Sequence, residues 1–83
     1  RVNCIAPGAV EGDRIDRVIN AMGKGLGLSY DEVVAMVNSR VALGRMVTPE
    51  EIASLALFLA SDMSTGITGQ TIYVDAGYCI TGM

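Results

Sequence analysis

Histidine is absent from this chain of 83 residues, cysteine occurs only twice, and basic residues never cluster. With no histidine, and with Cys4 and Cys79 far from any C-x-x-C spacing, the sequence offers neither a zinc shell nor a dithiol redox pair. Two free thiols are the simpler reading, Cys4 as a small apolar strand residue and Cys79 near the C-terminus; a disulfide is the alternative. Free thiols fit a reducing cytoplasm. A net charge of −3, no basic block and one aromatic-rich spot near the C-terminus argue against nucleic-acid binding. No apolar run approaches the roughly 18 residues of a membrane span, and nothing resembles a signal peptide.

What the chain has in excess is apolar surface. Apolar residues make up 51% and the mean hydropathy is +0.42, high for a domain too small to bury most of its surface. Some faces are therefore expected to be covered by another part of a protein.

Residues 1–10, Arg-Val-Asn-Cys-Ile-Ala-Pro-Gly-Ala-Val, carry the most information. Val2, Cys4, Ile5 and Ala6 form a short apolar run over residues 2–6, the pattern of a buried parallel strand. Pro7 lacks a donor and is expected to end the pairing. Gly8 then permits a sharp turn and the approach of a ligand. A strand ending at such a corner before a long irregular segment is where α/β proteins hold ligands. The chain starts in mid-strand at an arginine, so further sequence on the N-terminal side is expected.

Ile15, Val18, Ile19 and Met22 recur at helical spacing, with Asp13, Arg14, Asp16 and Arg17 off that stripe. Gly23, Gly25 and Gly27 are expected to break this helix. Ser29 and Glu32 form a capping-box pattern for a second helix, whose apolar face is Val33, Val34, Val37 and Val41 and whose end is Gly44. Thr48-Pro49-Glu50-Glu51 starts a third: Thr48 as N-cap, Pro49 at the first helical position, Glu51 completing another capping box. Ile52, Leu55, Ala56 and Leu59 make its stripe, and Leu57 and Phe58 widen it, so burial on more than one side is expected before it ends near Ser61-Asp62. A loop from Ser64 to Gln70 leads to a strand over 71–75, closed by Ala76-Gly77.

Strand, helices, strand is a parallel crossover. Two strands alone do not make a stable parallel sheet, which is covered on both faces. The fold class expected is α/β: the C-terminal part of a Rossmann-type doubly wound parallel sheet.

The ordered motifs resemble the short-chain dehydrogenases/reductases. Arg1 to Gly8 is similar to that family's RVNxIxPG strand and corner. Gly44-Arg45, Thr48 to Ala53 and Phe58 to Asp62 resemble its GR…TPEEIA…FLASD helix. Ile67 to Gln70 and Val74 to Gly77 resemble its ITGQ…VDGG close. The resemblance implies a C-terminal portion of one Rossmann domain. It divides the chain into strand and corner (1–10), substrate lid (11–47), helix (48–62) and last strand (71–75).

It also implies roles. Pro7, Gly8, Ala9 and Val10 would lie along a nicotinamide, NAD or NADP, with the backbone of Val10 paired to its carboxamide. The family often carries a cofactor-touching Thr where this chain has Gly12; the N–H of Gly12, or nearby Asp13, is left to supply a polar contact. Asp13 reads more simply as the cap of the helix over Ile15–Met22. Met22, Leu26, Leu28, Met36 and Met46 are candidates for an apolar pocket under the lid, or plain packing residues. Asp75 is expected to secure the closing turn rather than to catalyse. The glycine-rich dinucleotide turn, the residue selecting NAD or NADP, the catalytic Ser and the Tyr-x-x-x-Lys have no counterpart here, and none of Tyr30, Tyr73 and Tyr78 has Lys four residues on. No catalytic residue is therefore assigned. The implied activity is interconversion of a secondary alcohol and a ketone by a homo-oligomer paired through helix 49–61 and strand 71–75. A catalytically inactive relative and an autonomous binding module are the alternatives.

Overall fold

The structure, a computed structural model, describes residues 1–81. Strand β1 (Cys4–Pro7) leads to helices α1 (Asp13–Leu26), α2 (Tyr30–Asn38) and α3 (Pro49–Ala60). A 3-10 turn (Asp62–Ser64), strand β2 (Thr71–Val74) and a short helix α4 (Tyr78–Thr81) follow. β1 and β2 pair in parallel, Cys4 opposite Thr71 and Pro7 opposite Val74.

Pro7 does not end the pairing, contrary to expectation. The β1 donors to β2 fall on alternate residues: Cys4 N–H donates to Gln70 O at 2.8 Å and Gly8 N–H to Val74 O at 3.0 Å. The donor that Pro7 lacks would face the other edge of β1, so proline costs this ladder nothing. Nor is β1 fully buried. Cys4 and Pro7 are exposed and Ile5 and Ala6 half-buried, because α3 packs on one face only.

Register is set from the start of β1. Asn3 donates from Nδ2 to Ile67 O at 3.1 Å and accepts from Gln70 N–H at 3.0 Å. The Arg1 guanidinium donates to Ser64 O at 2.8 Å, Ile67 O at 3.2 Å and Leu59 O at 3.1 Å, tying the start of the chain to the last turn of α3 and the loop after it. Ser64, 1% exposed, is held beneath it.

The predicted capping boxes are present. Glu32 N–H donates to Ser29 Oγ at 3.2 Å and Glu51 N–H to Thr48 Oγ1 at 3.2 Å, each carboxylate accepting in return from the capping residue's N–H. Two of the three glycines expected to break α1 do not. Gly23 and Gly25 lie within the helix, and Gly27 ends it in the left-handed region with φ 70°. Gly23 is buried, and a Cβ there would lie 2.6 Å from Leu28 O, so glycine permits the close return of the chain into α2. α2 stops at Asn38 instead of continuing to Gly44, and Val41 falls in the following turn.

α1 and α2 pack on each other through Ile19 and Val33, both 0% exposed. No residue of α3 is fully buried and Leu57 is 74% exposed. The two-sided burial expected for α3 is absent because this chain supplies a partner for one face only.

Candidate functional site

The corner after β1 is held on both sides by backbone. Gly8 is required by proximity to β2: a Cβ there would lie 2.8 Å from Asp75 Cα. This close approach alone is enough to require the glycine. Beyond it, Val10 forms an isolated parallel bridge with Val47. Val47 N–H donates to Ala9 O at 3.0 Å and Glu11 N–H donates to Val47 O at 2.9 Å. In such a bridge the central residue's own groups point the other way. The N–H and C=O of Val10 therefore face away from Val47, and neither is engaged by a hydrogen bond among the described residues. One donor and one acceptor are presented side by side in fixed orientation.

Pro7, Gly8, Ala9, Val10 and Gly12 all line one cavity of about 400 Å³, which extends over the corner to Ile15. The structure thus brings the five expected residues together. Gly12 is the N-cap of α1 with φ 144° and ψ −176°, a conformation essentially restricted to glycine. That accounts for the lack of a Thr here. Asp13 is not the cap, as its reading as a helix cap required; it is the first helical residue, and α1 begins with no side-chain cap.

Two further cavities adjoin the corner. One of about 320 Å³ is half polar and half apolar, bounded by Glu11, Ile15, Asp16, Tyr30, Val34 and Asn38 with Met46, and Asn38 Oδ1 is buried without a partner among the described residues. The other, about 370 Å³ and mainly apolar, lies between Pro7-Gly8-Ala9 and Val37, Val41 and Tyr78. Of the five residues expected to shape an apolar pocket, Met46 alone lines one of these cavities. Met22 and Leu26 are exposed, and Leu28 and Met36 are half-buried outside them.

Charges are placed to hold backbone. Arg45 grips Glu51 at 2.7 and 3.1 Å, and this pairing, with the Thr48 N–H, lowers the Glu51 carboxyl to about 2. Asp75 accepts from Cys79 N–H at 2.8 Å and Gly77 N–H at 3.0 Å, which hold its carboxyl below the usual range. It secures the turn after β2, as expected. Tyr30 Oη donates to Asp16 Oδ1 at 2.7 Å, and that bond pushes the phenol up, the opposite of what a proton-transferring tyrosine needs. Among the described residues no group of three His, Cys, Asp or Glu could hold a metal, and no helix is long and apolar enough to cross a membrane. Cys4 and Cys79 are free and exposed.

Val47 is the site residue that sequence reasoning missed. Its signal is its place just before the Thr48 cap, where an apolar residue commonly fixes the entry of the chain into a helix. It is 2% exposed.

The family model described as enoyl-(acyl carrier protein) reductase matches residues 1–79. The 3-oxoacyl-(acyl-carrier-protein) reductase FabG of Chlamydia muridarum is 49% identical over 77 residues, 93% of this chain and 27% of the relative. The enoyl-(acyl-carrier-protein) reductase (NADH) FabI of Bacillus cereus is 37% identical over 82 residues, 99% of this chain and 28% of the relative. A short chain dehydrogenase family protein from Francisella tularensis superposes with TM-score 0.90 at 38% identity, covering 96% of this chain and 33% of that structure. The chain thus spans between a quarter and a third of the length of these proteins, and over that length it belongs to the short-chain dehydrogenase/reductase family.

Proposed function

We propose that this chain is the C-terminal portion of an NAD- or NADP-dependent oxidoreductase that interconverts a secondary alcohol and a ketone. Residues 1–10 form the nicotinamide wall, 11–47 the substrate lid, 48–62 the crossover helix and 71–75 the last strand. The observation that carries this reading is the unengaged N–H and C=O of Val10 above a cavity lined by residues 7–15. A carboxamide has one acceptor and one donor, and it matches that pair in a single orientation.

When bound, the cofactor supplies or accepts the hydride. The chain's own residues orient and enclose. Val10 fixes the plane of the ring amide, Pro7, Gly8 and Ala9 wall one side, and the N–H of Gly12 adds a donor at the start of α1. The lid excludes water from the reacting atoms. Proton transfer belongs to a Tyr-x-x-x-Lys outside these residues.

Reduction of a ketone is favoured by the relative that is 49% identical, a 3-oxoacyl reductase. Reduction of an enoyl double bond is the second reading, supported by the family model and the 37% identical relative. Exposed Leu57, Met63 and Tyr73 suit contacts with the rest of the domain and with a second subunit. The exposed free thiols suit a reducing cytoplasm.

The test is turnover of the parent enzyme, with NADH or NADPH followed optically against 3-oxoacyl thioesters, simple ketones and 2-enoyl thioesters. Ketone turnover supports the proposal; enoyl turnover alone moves the chain to the second reading. A parent without Tyr-x-x-x-Lys and without turnover leaves an inactive relative. In an active parent, Val10→Ala keeps cofactor affinity because the contact is backbone. Val10→Pro removes the donor and weakens binding by about fivefold or more, measured by fluorescence titration of the reduced cofactor.

A further inference from the structure

Val47 brackets Val10 with two peptide groups, and one ion pair holds both of them. A trans peptide directs its C=O and its N–H in opposite directions. In the group between Met46 and Val47, the N–H donates to Ala9 O at 3.0 Å and the C=O accepts from Arg45 Nη1 at 3.0 Å. In the group between Val47 and Thr48, the C=O accepts from Glu11 N–H at 2.9 Å and the N–H donates to Glu51 Oε1 at 2.9 Å. Arg45 Nη1 in turn donates to Glu51 Oε1 at 2.7 Å. These two side-chain atoms therefore join the peptide groups on either side of Val47. Arg45 Nη2, donating to Glu51 Oε2 at 3.1 Å, makes the pair bidentate.

The same rule carries the constraint across the bridge. Ala9 O belongs to the peptide group whose N–H is that of Val10, and Glu11 N–H to the group whose C=O is that of Val10. With Ala9 O and Glu11 N–H both held by Val47, the donor and acceptor of Val10 are aimed the opposite way. Arg45 acts on this side as well: pairing with Glu51 raises its guanidinium, and the charge of Glu11 adds to that. The pair is in contact with solvent, Arg45 49% and Glu51 37% exposed, so it adds little to stability. What it fixes is direction.

We propose that Arg45 and Glu51 are positioning residues for the cofactor: by setting the peptide planes on both sides of the Val10–Val47 bridge, they hold the Val10 N–H and C=O to one orientation of the nicotinamide carboxamide. This rests on the reading of Val10 as the carboxamide contact. A pair that served only to cap α3 would alter stability and leave the choice between head groups untouched.

The probe is a dinucleotide whose carboxamide is replaced by an acetyl group, which keeps the C=O acceptor and lacks the N–H donor. By calorimetric titration, the protein that carries this chain is expected to bind the carboxamide form about fivefold or more tightly than the acetyl form. Arg45→Ala and Glu51→Ala each narrow that ratio by about two- to fivefold. The double variant narrows it by less than the product of the singles, because both changes open one pair. Ser61→Ala, which uncaps the 3-10 turn beyond the other end of α3, leaves the ratio unchanged. Ratios that hold in the Arg45 and Glu51 variants, or an equal narrowing in Ser61→Ala, overturn the proposal. Hydrogen exchange of the Glu11 and Val47 amides tests the same relay without a ligand: it is expected to rise in the Arg45 and Glu51 variants and not in Ser61→Ala. A wild type that binds both dinucleotides equally overturns the reading of Val10, and the exchange result then decides whether the pair holds the bridge.

Discussion

Ala76 sits in the left-handed region at φ 55° and is 7% exposed, a conformation that a side chain disfavours by about 1 kcal/mol. The Asp75 carboxylate, bonded to the N–H groups of Gly77 and Cys79, holds the turn around it. Ala76→Gly is expected to stabilise the protein that carries this chain by about 1 kcal/mol in urea unfolding, since glycine adopts that backbone freely. Gly12 is the converse case. Gly12→Thr would install the hydroxyl that the family often places there, at φ 144°. It is expected to destabilise by roughly 1–3 kcal/mol and not to improve cofactor affinity, both measurable on the purified variant. The sequence shows that a residue is glycine but not why. Gly8 answers to Asp75, Gly12 to its own backbone and Gly23 to Leu28; each reason depends on a neighbour or a torsion that spacing along the chain does not encode.

At the scale of the elements, short-range chemistry was legible and long-range contact was not. Both capping boxes could be read because their partners lie three residues apart. Of the glycines expected to break α1, Gly27 does end it, whereas Gly23 stays within the helix, where the return of the chain at Leu28 requires it. α3 yields a pH prediction. The Glu51 carboxyl lies at about 2 in the folded chain against an ordinary 4.5. Its contribution to stability is complete above 4.5 and is lost as pH falls from 4.5 towards 2. Unfolding of the region around α3 is expected to steepen in that window, and Glu51→Gln to flatten it, as followed by exchange of the Ile52–Leu55 amides. Thr48→Ala removes the cap and is expected to cost about 1 kcal/mol by urea unfolding, without the pH signature.

At the scale of the whole molecule, the radius of gyration is 15.1 Å and the principal extents are 49 × 24 × 17 Å, against about 12 Å for a self-contained domain of this length. Buried apolar side chains are limited to Ile19, Val33, Val47 and Ala76 among the described residues. Taken alone, these 83 residues are expected to melt without a cooperative transition by circular dichroism; a sharp two-state melt would favour an autonomous module. The excess of apolar residues already pointed this way, whereas the faces left uncovered emerge only from the packing of α3 and β2. The clasp of Asn3 on Gln70 bears on something else. It joins residues 67 apart in the chain, so in kinetic terms the sheet has high contact order. The helices between can gain structure locally, while the register of β1 against β2 must await the closure of that long loop. Nucleation is therefore expected in α1 and α2, with Arg1 and Asn3 showing φ-values near zero.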